Sequence, residues 1–280
     1  IRAPAIGVDF SDPWVFVTNA TAAIDPQRFA RAIGPSLVQT LAAYRFDQPP
    51  QVEVSGRVPA QGSVADADMR FHVAGGPFHF WRFNLPDLVA DVHWEGDRVA
   101  ITNAIGSFYQ GRLAGNLVAL LQPDGSANLS FNTAVTNVNL KLLVLDTIPT
   151  TNRIEGLLHG RLDIAHANSA DWKSWNGSGR LNMRDGLLWE LPMLSILSPV
   201  LNTFVPGLGN NRASAATGSF TIDRSVMHTE DLVIVANPAH LAYRGTLDFD
   251  WNVNTRVVAE ILPGAPIVGP ILNLVIAPVA

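Results

Sequence analysis

The chain contains 280 residues with a formal net charge of −5, and 48% of its residues are hydrophobic while only 15% are charged. A nucleic-acid-binding surface needs an excess of basic residues, so this balance argues against a nucleic acid partner. The absence of cysteine excludes disulfide bonds and cysteine-ligated metals. Neither a transmembrane helix nor a signal peptide is predicted, and we expect the chain, which starts at Ile1, to be a fragment of a longer protein.

The first predicted element is an amphipathic helix over residues 25–46. Asp25 is a typical N-cap residue, and Pro26 is favoured at the first helical position. Apolar residues then recur every four positions on one face of the helix, at Phe29, Ile33, Leu37 and Leu41. The Gly-Pro pair at 34–35 predicts a kink in this helix.

Most of the remaining chain alternates between apolar and polar residues, which is the period of a strand with one buried face. The clearest example is 241–253, where every second residue from Leu241 onward is apolar or glycine. Short turn sequences, such as 95–97 and 123–125, separate neighbouring strands and favour antiparallel pairing. The sequence therefore predicts about twelve strands in a single elongated β-rich domain spanning 1–280.

The segment 177–192 predicts a hairpin that leads into a helix. Alternation over 177–183 indicates a strand, and Asp185-Gly186 is a dipeptide that favours a tight hairpin turn. The apolar segment after Trp189 has a helical period, with Leu194, Leu197 and Leu201 on one face. We expect this second helix to cover part of the apolar face of the strands.

Residues with the spacing of a catalytic or metal site are scarce. Asp66, Asp68 and His72 share one strand face, but a solvated face explains them better than a cation site, which needs matched ligands and supporting contacts. The chain has no nucleophile elbow, phosphate-binding loop or zinc-protease motif. The sequence therefore predicts no enzyme activity, no cofactor and no metal.

A longer pattern carries a family resemblance. Residues 177–188 read G-x-G-x-L-x-M-x-D-G-x-L, and Leu-Pro at 191–192 introduces the apolar segment. A strand at 216–223 and the sequence Arg-Gly-Thr-Leu-Asp at 244–248 follow, before the ending Leu-Pro-Gly-Ala-Pro-Ile-Val-Gly at 262–269. This order resembles the C-terminal region of AsmA-like proteins.

The resemblance covers 157–280 and implies both a fold and a function. AsmA-like proteins are similar in design to bridge-like lipid transfer proteins, so the implied fold is mainly β: a long antiparallel, strongly curved sheet, a "taco"-like trough, with one or two amphipathic helices. The implied function is lipid binding and lipid transport in the periplasm of Gram-negative bacteria, contributing to outer membrane biogenesis and integrity. The full-length protein is then expected to be anchored in the inner membrane.

The implied partners are phospholipid or fatty-acyl chains, with membrane contact through flanking segments and with cell envelope proteins as candidate partners. An apolar groove can hold an acyl chain without any catalytic residue, because each buried methylene contributes about 0.8 kcal/mol. The expected groove residues come from the apolar faces of the predicted strands and the second helix. They are Leu181, Met183, Leu187, Trp189, Leu194, Leu197, Leu201, Phe220, Ile222, Leu241, Tyr243, Leu247, Phe249 and Trp251.

Two other interpretations stay open. The apolar faces of amphipathic strands often cover each other in a closed β-sandwich, and the protein would then be a structural or interaction module of an envelope assembly. An all-β enzyme or carbohydrate binder would instead need exposed aromatic residues and carboxylates clustered at strand ends.

Overall fold

The computed structural model describes residues 5–9, 14–23, 25–33, 38, 44–60, 66–80, 82–147, 154–187, 213–236, 239–250, 252–261 and 272–276. These residues contain two α-helices, α1 (Pro26–Ile33) and α2 (Leu140–Thr147), and a short 3₁₀ turn at Trp172–Ser174. The strands in chain order are β1 (Ala5–Asp9), β2 (Trp14–Ala23), β3 (Tyr44–Phe46), β4 (Gln51–Pro59), β5 (Asp68–Gly75), β6 (Phe78–Phe80), β7 (Phe83–Leu85), β8 (Leu88–Glu95), β9 (Arg98–Phe108), β10 (Gly111–Leu121), β11 (Ala127–Asn139), β12 (Glu155–Asn168), β13 (Asn176–Leu187), β14 (Ala213–Asp223), β15 (Val226–Ala236), β16 (Ala239–Asp248), β17 (Val253–Ile261) and β18 (Leu272–Ile276).

Fifteen of the described strands form one sheet, in the order β1-β2-β4-β5-β8-β9-β10-β11-β12-β13-β14-β15-β16-β17-β18, and β3, β6 and β7 form a separate small sheet. Neighbours in the long sheet pair antiparallel, as β13 does with β14 and β16 with β17. Most strands pair with the next strand along the chain, because short connections suffice for antiparallel neighbours. The predicted long antiparallel sheet with few helices is confirmed. The described strands do not divide into two sheets of similar size.

The helix α1 begins where the sequence predicts. Asp25 precedes it and accepts a hydrogen bond from the backbone N–H of Gln27 at 3.0 Å, which is the contact of a side chain that caps a helix. Arg28 lies 3.6 Å from the same carboxylate, between its Nε and an Asp25 oxygen. The described helix ends at Ile33, and the predicted kink at 34–35 lies outside the described residues.

The predicted end of this helix at residue 46 is wrong. Tyr44–Phe46 form β3, which pairs with β6 so that Phe46 lies opposite Phe78, with ring centroids 4.7 Å apart. Aromatic residues fit a pleated surface well, and cross-strand aromatic pairs stabilise it, so pairing with a second aromatic strand outweighs a weak helical period. Positions 37 and 41 of the predicted helical stripe lie outside the described residues.

The chain packs as two compact units. The N-terminal unit comprises Ile1–Phe108, Arg112–Thr133 and Ala165–Asp171, and the C-terminal unit comprises Tyr109–Gly111, Ala134–Ile164 and Trp172–Ala280. The core of the N-terminal unit consists of Ala20, Val52, Val54, Ala67, Met69 and Trp94.

The core of the N-terminal unit lies on one face of its strands. Val54 of β4 lies opposite Phe71 of β5, which in turn lies opposite Val92 of β8. Residues directly opposite each other on paired strands project from the same face, so the alternation seen in the sequence produces a continuous apolar surface.

The core of the C-terminal unit combines strands β13 to β17 with α2. Asn139 caps α2, since its Oδ1 accepts hydrogen bonds from the backbone N–H of Lys141 at 3.1 Å and of Leu142 at 3.4 Å. The buried cluster consists of Leu140, Val144, Ile154, Met183, Ala213, Ala216, Leu232, Ile234, Ala236, Leu241, Tyr243 and Val257.

One predicted turn and one predicted strand are corrected by the structure. The hairpin turn expected at Asp185-Gly186 is absent, because β13 continues through Asp185, which has φ 53°, and Gly186 pairs with Ala213 in an unbroken register. The strand expected over 241–253 is instead a hairpin. Its turn is closed by Asn252, whose backbone N–H donates to Asp248 Oδ1 at 2.8 Å and whose side chain donates to Asp248 Oδ2 at 2.7 Å.

Candidate functional site: the apolar face of strands β13 to β17

The register of the C-terminal strands brings together most of the predicted groove residues that the structure describes. Met183 of β13 pairs with Ala216 of β14, Ala216 pairs with Ile234 of β15, and Ile234 pairs with Leu241 of β16. These four side chains therefore form one cross-strand row. We call the surface to which this row belongs the apolar face.

Two further rows run parallel to the first. In the second row, Leu232 pairs with Tyr243, and Tyr243 pairs with Val257. In the last row, residues from five strands pair in sequence, namely Gly177, Ile222, Met227, Leu247 and Val253. A register shift in β15 between Thr229 and Leu232 keeps its apolar residues on this face at both ends of the strand.

The opposite side of these strands is polar on β13 and at Ser219 and Asp231, whereas Val233, Ala242 and Val258 form an apolar row on β15 to β17. Ser178, Arg180, Asn182 and Arg184 of β13 are exposed. On β15, Asp231 accepts two hydrogen bonds of 2.7 Å from Ser219, one from the backbone N–H and one from the hydroxyl. These bonds, followed by the nearby positive charge of Arg180, lower the pKa of the Asp231 carboxyl.

The predicted residues differ in how deeply they are buried. Leu241 is 0% exposed and Tyr243 is 1% exposed, and Met183 and Ile222 are also buried. Leu140 and Val144 of α2 belong to the same cluster, so the helix covers part of the apolar face. The half-buried members are Leu181, Leu187, Phe220 and Leu247.

Phe220 lies over a glycine of the neighbouring strand. It pairs with Gly179, and a Cβ at Gly179 would overlap the ring atoms of Phe220. A side chain at position 179 would therefore collide with the aromatic ring. The second glycine of the G-x-G in the sequence pattern thus has a packing reason on the apolar face.

Tyr243 places a polar atom within this apolar surface. Its hydroxyl is buried and has no hydrogen-bond partner among the residues that the structure describes. Burial raises the pKa of this phenol, because the charged form cannot be solvated there. A buried hydroxyl without a partner costs about 1–3 kcal/mol.

Phe249 is not part of a strand, contrary to the prediction. It lies in the turn after β16, and its ring stacks on Trp172 with ring centroids 6.0 Å apart and an interplanar angle of 11°. Trp175 contacts Phe249 edge-on at 6.3 Å. These three residues form an aromatic cluster at the strand ends. Trp172 is 42% exposed, so the cluster is accessible to solvent.

Five predicted groove residues cannot be compared with the structure. They lie outside the described residues, as does the helix expected after residue 189. They are Trp189, Leu194, Leu197, Leu201 and Trp251.

Sequence reasoning missed several residues of the apolar face. Leu232, Ile234 and Ala236 belong to a continuous apolar run in which alternation is not visible, and only the register separates the two faces. The residues of α2 were also missed, although Asn139 before a leucine-rich segment is a recognisable helix start.

Two members of the weak cation candidate of the N-terminal unit, Asp68 and His72, make hydrogen bonds between a histidine and a carboxylate. The ring of His93 donates to Asp68 at 2.8 Å through Nε2, and the ring of His72 donates to Asp91 at 2.7 Å through Nδ1. The bond from His93 is the main cause of the lowered pKa of Asp68. The bond from Asn103, followed by that from His72, lowers the pKa of Asp91. Within the described part of the chain, no three potential ligands lie close enough to hold a metal ion.

Comparisons with known proteins add no match: no family model, no curated protein and no solved structure is similar to this chain. Neither described helix has the length and hydrophobicity needed to cross a bilayer. The apolar face of β13 to β17 is therefore the candidate site of this chain.

Proposed function

We propose that the apolar face of the C-terminal strands binds acyl chains, and that the protein is a periplasmic lipid-binding or lipid-transfer module of the cell envelope. The observation that supports this proposal best is the register, which aligns Leu181, Met183, Phe220, Tyr243 and Leu247 on one face with the other apolar residues of the rows. The resemblance of 157–280 to AsmA-like proteins adds the periplasm, the outer membrane and lipid supply to the proposal. The proposed function includes no catalytic role for any residue.

The energetics of such a site need only apolar contact. Each methylene removed from water contributes about 0.8 kcal/mol, so about ten methylenes provide roughly 8 kcal/mol before the loss of ligand entropy. The half-buried Leu181, Phe220 and Leu247 are the members that a chain can reach with the least rearrangement. Contact with Leu241 requires displacement of covering side chains, because Leu241 is 0% exposed.

A charge on the apolar face should abolish acyl binding. Leu247→Asp places a carboxylate in the row that contains Met227 and Val253. Thr246→Asp is a matched control, because the neighbouring residue of the same strand is also half-buried but projects from the opposite face. Binding of methyl palmitate, measured by native mass spectrometry on variants whose circular dichroism matches the wild type, should be lost in Leu247→Asp and kept in Thr246→Asp.

The proposal is wrong if both folded variants bind methyl palmitate as the wild type does, or if the wild type binds none. A β-sandwich module would explain an apolar face without any ligand. The described strands do not support that alternative, because they form one long sheet and one small sheet rather than two sheets of similar size.

A second candidate function is carbohydrate binding, which the aromatic cluster at the strand ends favours. Trp172 is 42% exposed and stacked on Phe249. Carboxylates lie at the same strand ends, since both Asp223 of β14 and Asp248 of β16 pair with Val226. Exposed tryptophan beside carboxylates is the combination expected for a sugar-binding surface.

The second candidate is tested by Trp172→Ala. If the cluster binds sugars, oligosaccharides change the tryptophan fluorescence of the wild type, and the variant loses this response. If no oligosaccharide changes the fluorescence of the wild type, carbohydrate binding at the cluster is excluded.

A further inference from the structure

Tyr243 is the one aromatic hydroxyl that the described register places on the apolar face of β13 to β17. Its strand neighbours on the same face are Leu241 and Gly245, and its cross-strand partners are Leu232 and Val257. The side chains of Leu241, Leu232 and Val257 are apolar, and Gly245 has no side chain. These immediate neighbours therefore offer the phenol no side-chain hydrogen-bond partner. The diagonal neighbours Thr229 and Thr255 pair with Gly245, and their hydroxyls donate instead to the backbone carbonyl oxygens of Ser219 and Arg244.

Tyrosine hydroxyls that are buried in proteins usually find a hydrogen-bond partner. Tyr109 of the same unit follows this rule, because its hydroxyl donates to Asp146 Oδ2 at 2.8 Å. Tyr243 is buried more deeply, with 1% of its surface exposed against 8% for Tyr109, and has no partner in the described part of the chain. Phenylalanine would fill the same space without the cost of an unpaired hydroxyl, so the hydroxyl itself needs an explanation.

The chemistry of the surroundings restricts which acceptor would suit Tyr243. A carboxylate would be costly, because an ionised group in an apolar environment needs a paired cation. The neighbouring Arg244 is exposed and projects from the opposite face of β16. A neutral carbonyl oxygen attached to a hydrocarbon chain accepts one hydrogen bond and tolerates apolar surroundings, which is the chemistry of an ester-linked acyl chain.

We propose that Tyr243 is a binding residue for the ester carbonyl of an acyl chain that lies on the apolar face, with the phenol O–H as the donor. Because Tyr243 is 1% exposed, the chain reaches it only when the covering side chains are displaced, as at Leu241. This inference rests on the proposed acyl-binding function and adds a polar anchor to it. The protein then distinguishes ester-linked acyl chains from plain hydrocarbons of the same length. The anchor also fixes the position of the chain along the rows, which apolar contacts alone leave free.

The experiment compares methyl palmitate with heptadecane, which has a similar length and no carbonyl group. Both are titrated against the wild type, Tyr243→Phe and the control variant Tyr109→Phe by native mass spectrometry, and thermal unfolding is recorded without ligand. We expect Tyr243→Phe to weaken methyl palmitate binding by about five- to tenfold, the effect of one hydrogen bond, and to leave heptadecane binding unchanged. Without ligand, Tyr243→Phe should melt at the wild-type temperature or above, whereas Tyr109→Phe should melt lower because it loses its bond to Asp146.

An infrared measurement on the wild type tests the same contact directly. The carbonyl stretch of bound methyl palmitate, labelled with ¹³C at the carbonyl, should lie at lower frequency in the wild type than in Tyr243→Phe. If both ligands bind the wild type and Tyr243→Phe changes neither affinity nor frequency, the anchor is refuted while acyl binding stands. If Tyr243→Phe melts well below the wild type without ligand, the hydroxyl has a partner within the protein and the anchor is also refuted. If neither ligand binds the wild type, the proposed function itself fails.

Discussion

Leu241 at the centre of the apolar face offers the most quantitative test of the core of the C-terminal unit. It is 0% exposed, and its row partners are Ile234 and Ala259. Leu241→Ala removes three carbon atoms, which corresponds to about 2.4 kcal/mol of transfer free energy at about 0.8 kcal/mol for each. The cavity that remains adds to this cost, so we expect the free energy of unfolding to fall by about 3–5 kcal/mol.

Leu145→Ala is the matched control for this prediction. It is the same substitution in the helix that packs on the apolar face, but Leu145 is 55% exposed. Because the Leu145 side chain buries little apolar surface on folding, the free energy of unfolding should change by no more than about 0.5 kcal/mol. Urea unfolding followed by circular dichroism, with hydrogen exchange of the amides of β15 and β16, measures both variants. Equal losses of stability in the two variants would refute the assignment of Leu241 to a closely packed core.

Three further predictions concern local contacts. Gly179→Ala should lower the free energy of unfolding by about 1–3 kcal/mol, because the new methyl group collides with the Phe220 ring, as urea unfolding would detect. Asn139→Ala should cost about 0.5–2 kcal/mol in the same assay, since it removes the cap of α2. Asp231→Asn should be less stable than the wild type at pH 7, because the lowered pKa means that the ionised carboxylate stabilises the fold above its unfolded pKa. This advantage should disappear as the pH falls below about 4, through the folded pKa.

Each of these variants has a control or a refuting outcome. Gly7→Ala should be close to neutral, because a Cβ at Gly7 would meet its nearest neighbour at an ordinary 3.9 Å. Asn182→Ala is the control for Asn139→Ala. It changes an exposed asparagine of β13, so the free energy of unfolding should change by no more than about 0.5 kcal/mol. If Gly179→Ala behaves like Gly7→Ala, the ring does not lie over residue 179. If Asp231→Asn differs from the wild type by the same amount at pH 7 and pH 2.5, the carboxylate contributes nothing through its charge.

Alternation in the sequence was sufficient to predict which residues of β16 share a face. Leu241, Tyr243 and Leu247 were assigned to one face from their spacing, and the pairing of β16 with its neighbours confirms this. The reason is that side chains in a strand project alternately to the two sides, so spacing alone determines the face once the strand is recognised. The long antiparallel sheet followed from the same signal and from the short turns.

Strand boundaries were less accessible, because alternation can continue through a turn. Phe249 keeps the period of β16 but lies in the turn, which depends on the hydrogen bonds between Asp248 and Asn252. The opposite error occurred at Asp185, where a dipeptide typical of a hairpin lies within a continuous strand. Pairing of Gly186 with Ala213 stabilises the extended chain there, and no local pattern reveals such a partner.

The helix α2 was missed because its signal is one cap rather than a period. Leu140–Thr147 is apolar on several sides and lacks a clear amphipathic stripe, so it resembles the buried strands around it. The environment of Tyr243 was also beyond sequence reasoning. Its place on the apolar face was predictable, but the lack of a hydrogen-bond partner among the described residues depends on side chains from three strands.

The most direct test of the central claim is native mass spectrometry of the chain purified without detergent from a Gram-negative host, combined with extraction and identification of bound lipid. Acyl binding on the apolar face predicts co-purified phospholipid or fatty acid in the wild type. It also predicts that Leu247→Asp, in the row of Met227 and Val253, is folded but free of lipid. A lipid-free wild type that also fails to take up added methyl palmitate would contradict the proposal and favour a structural or interaction module.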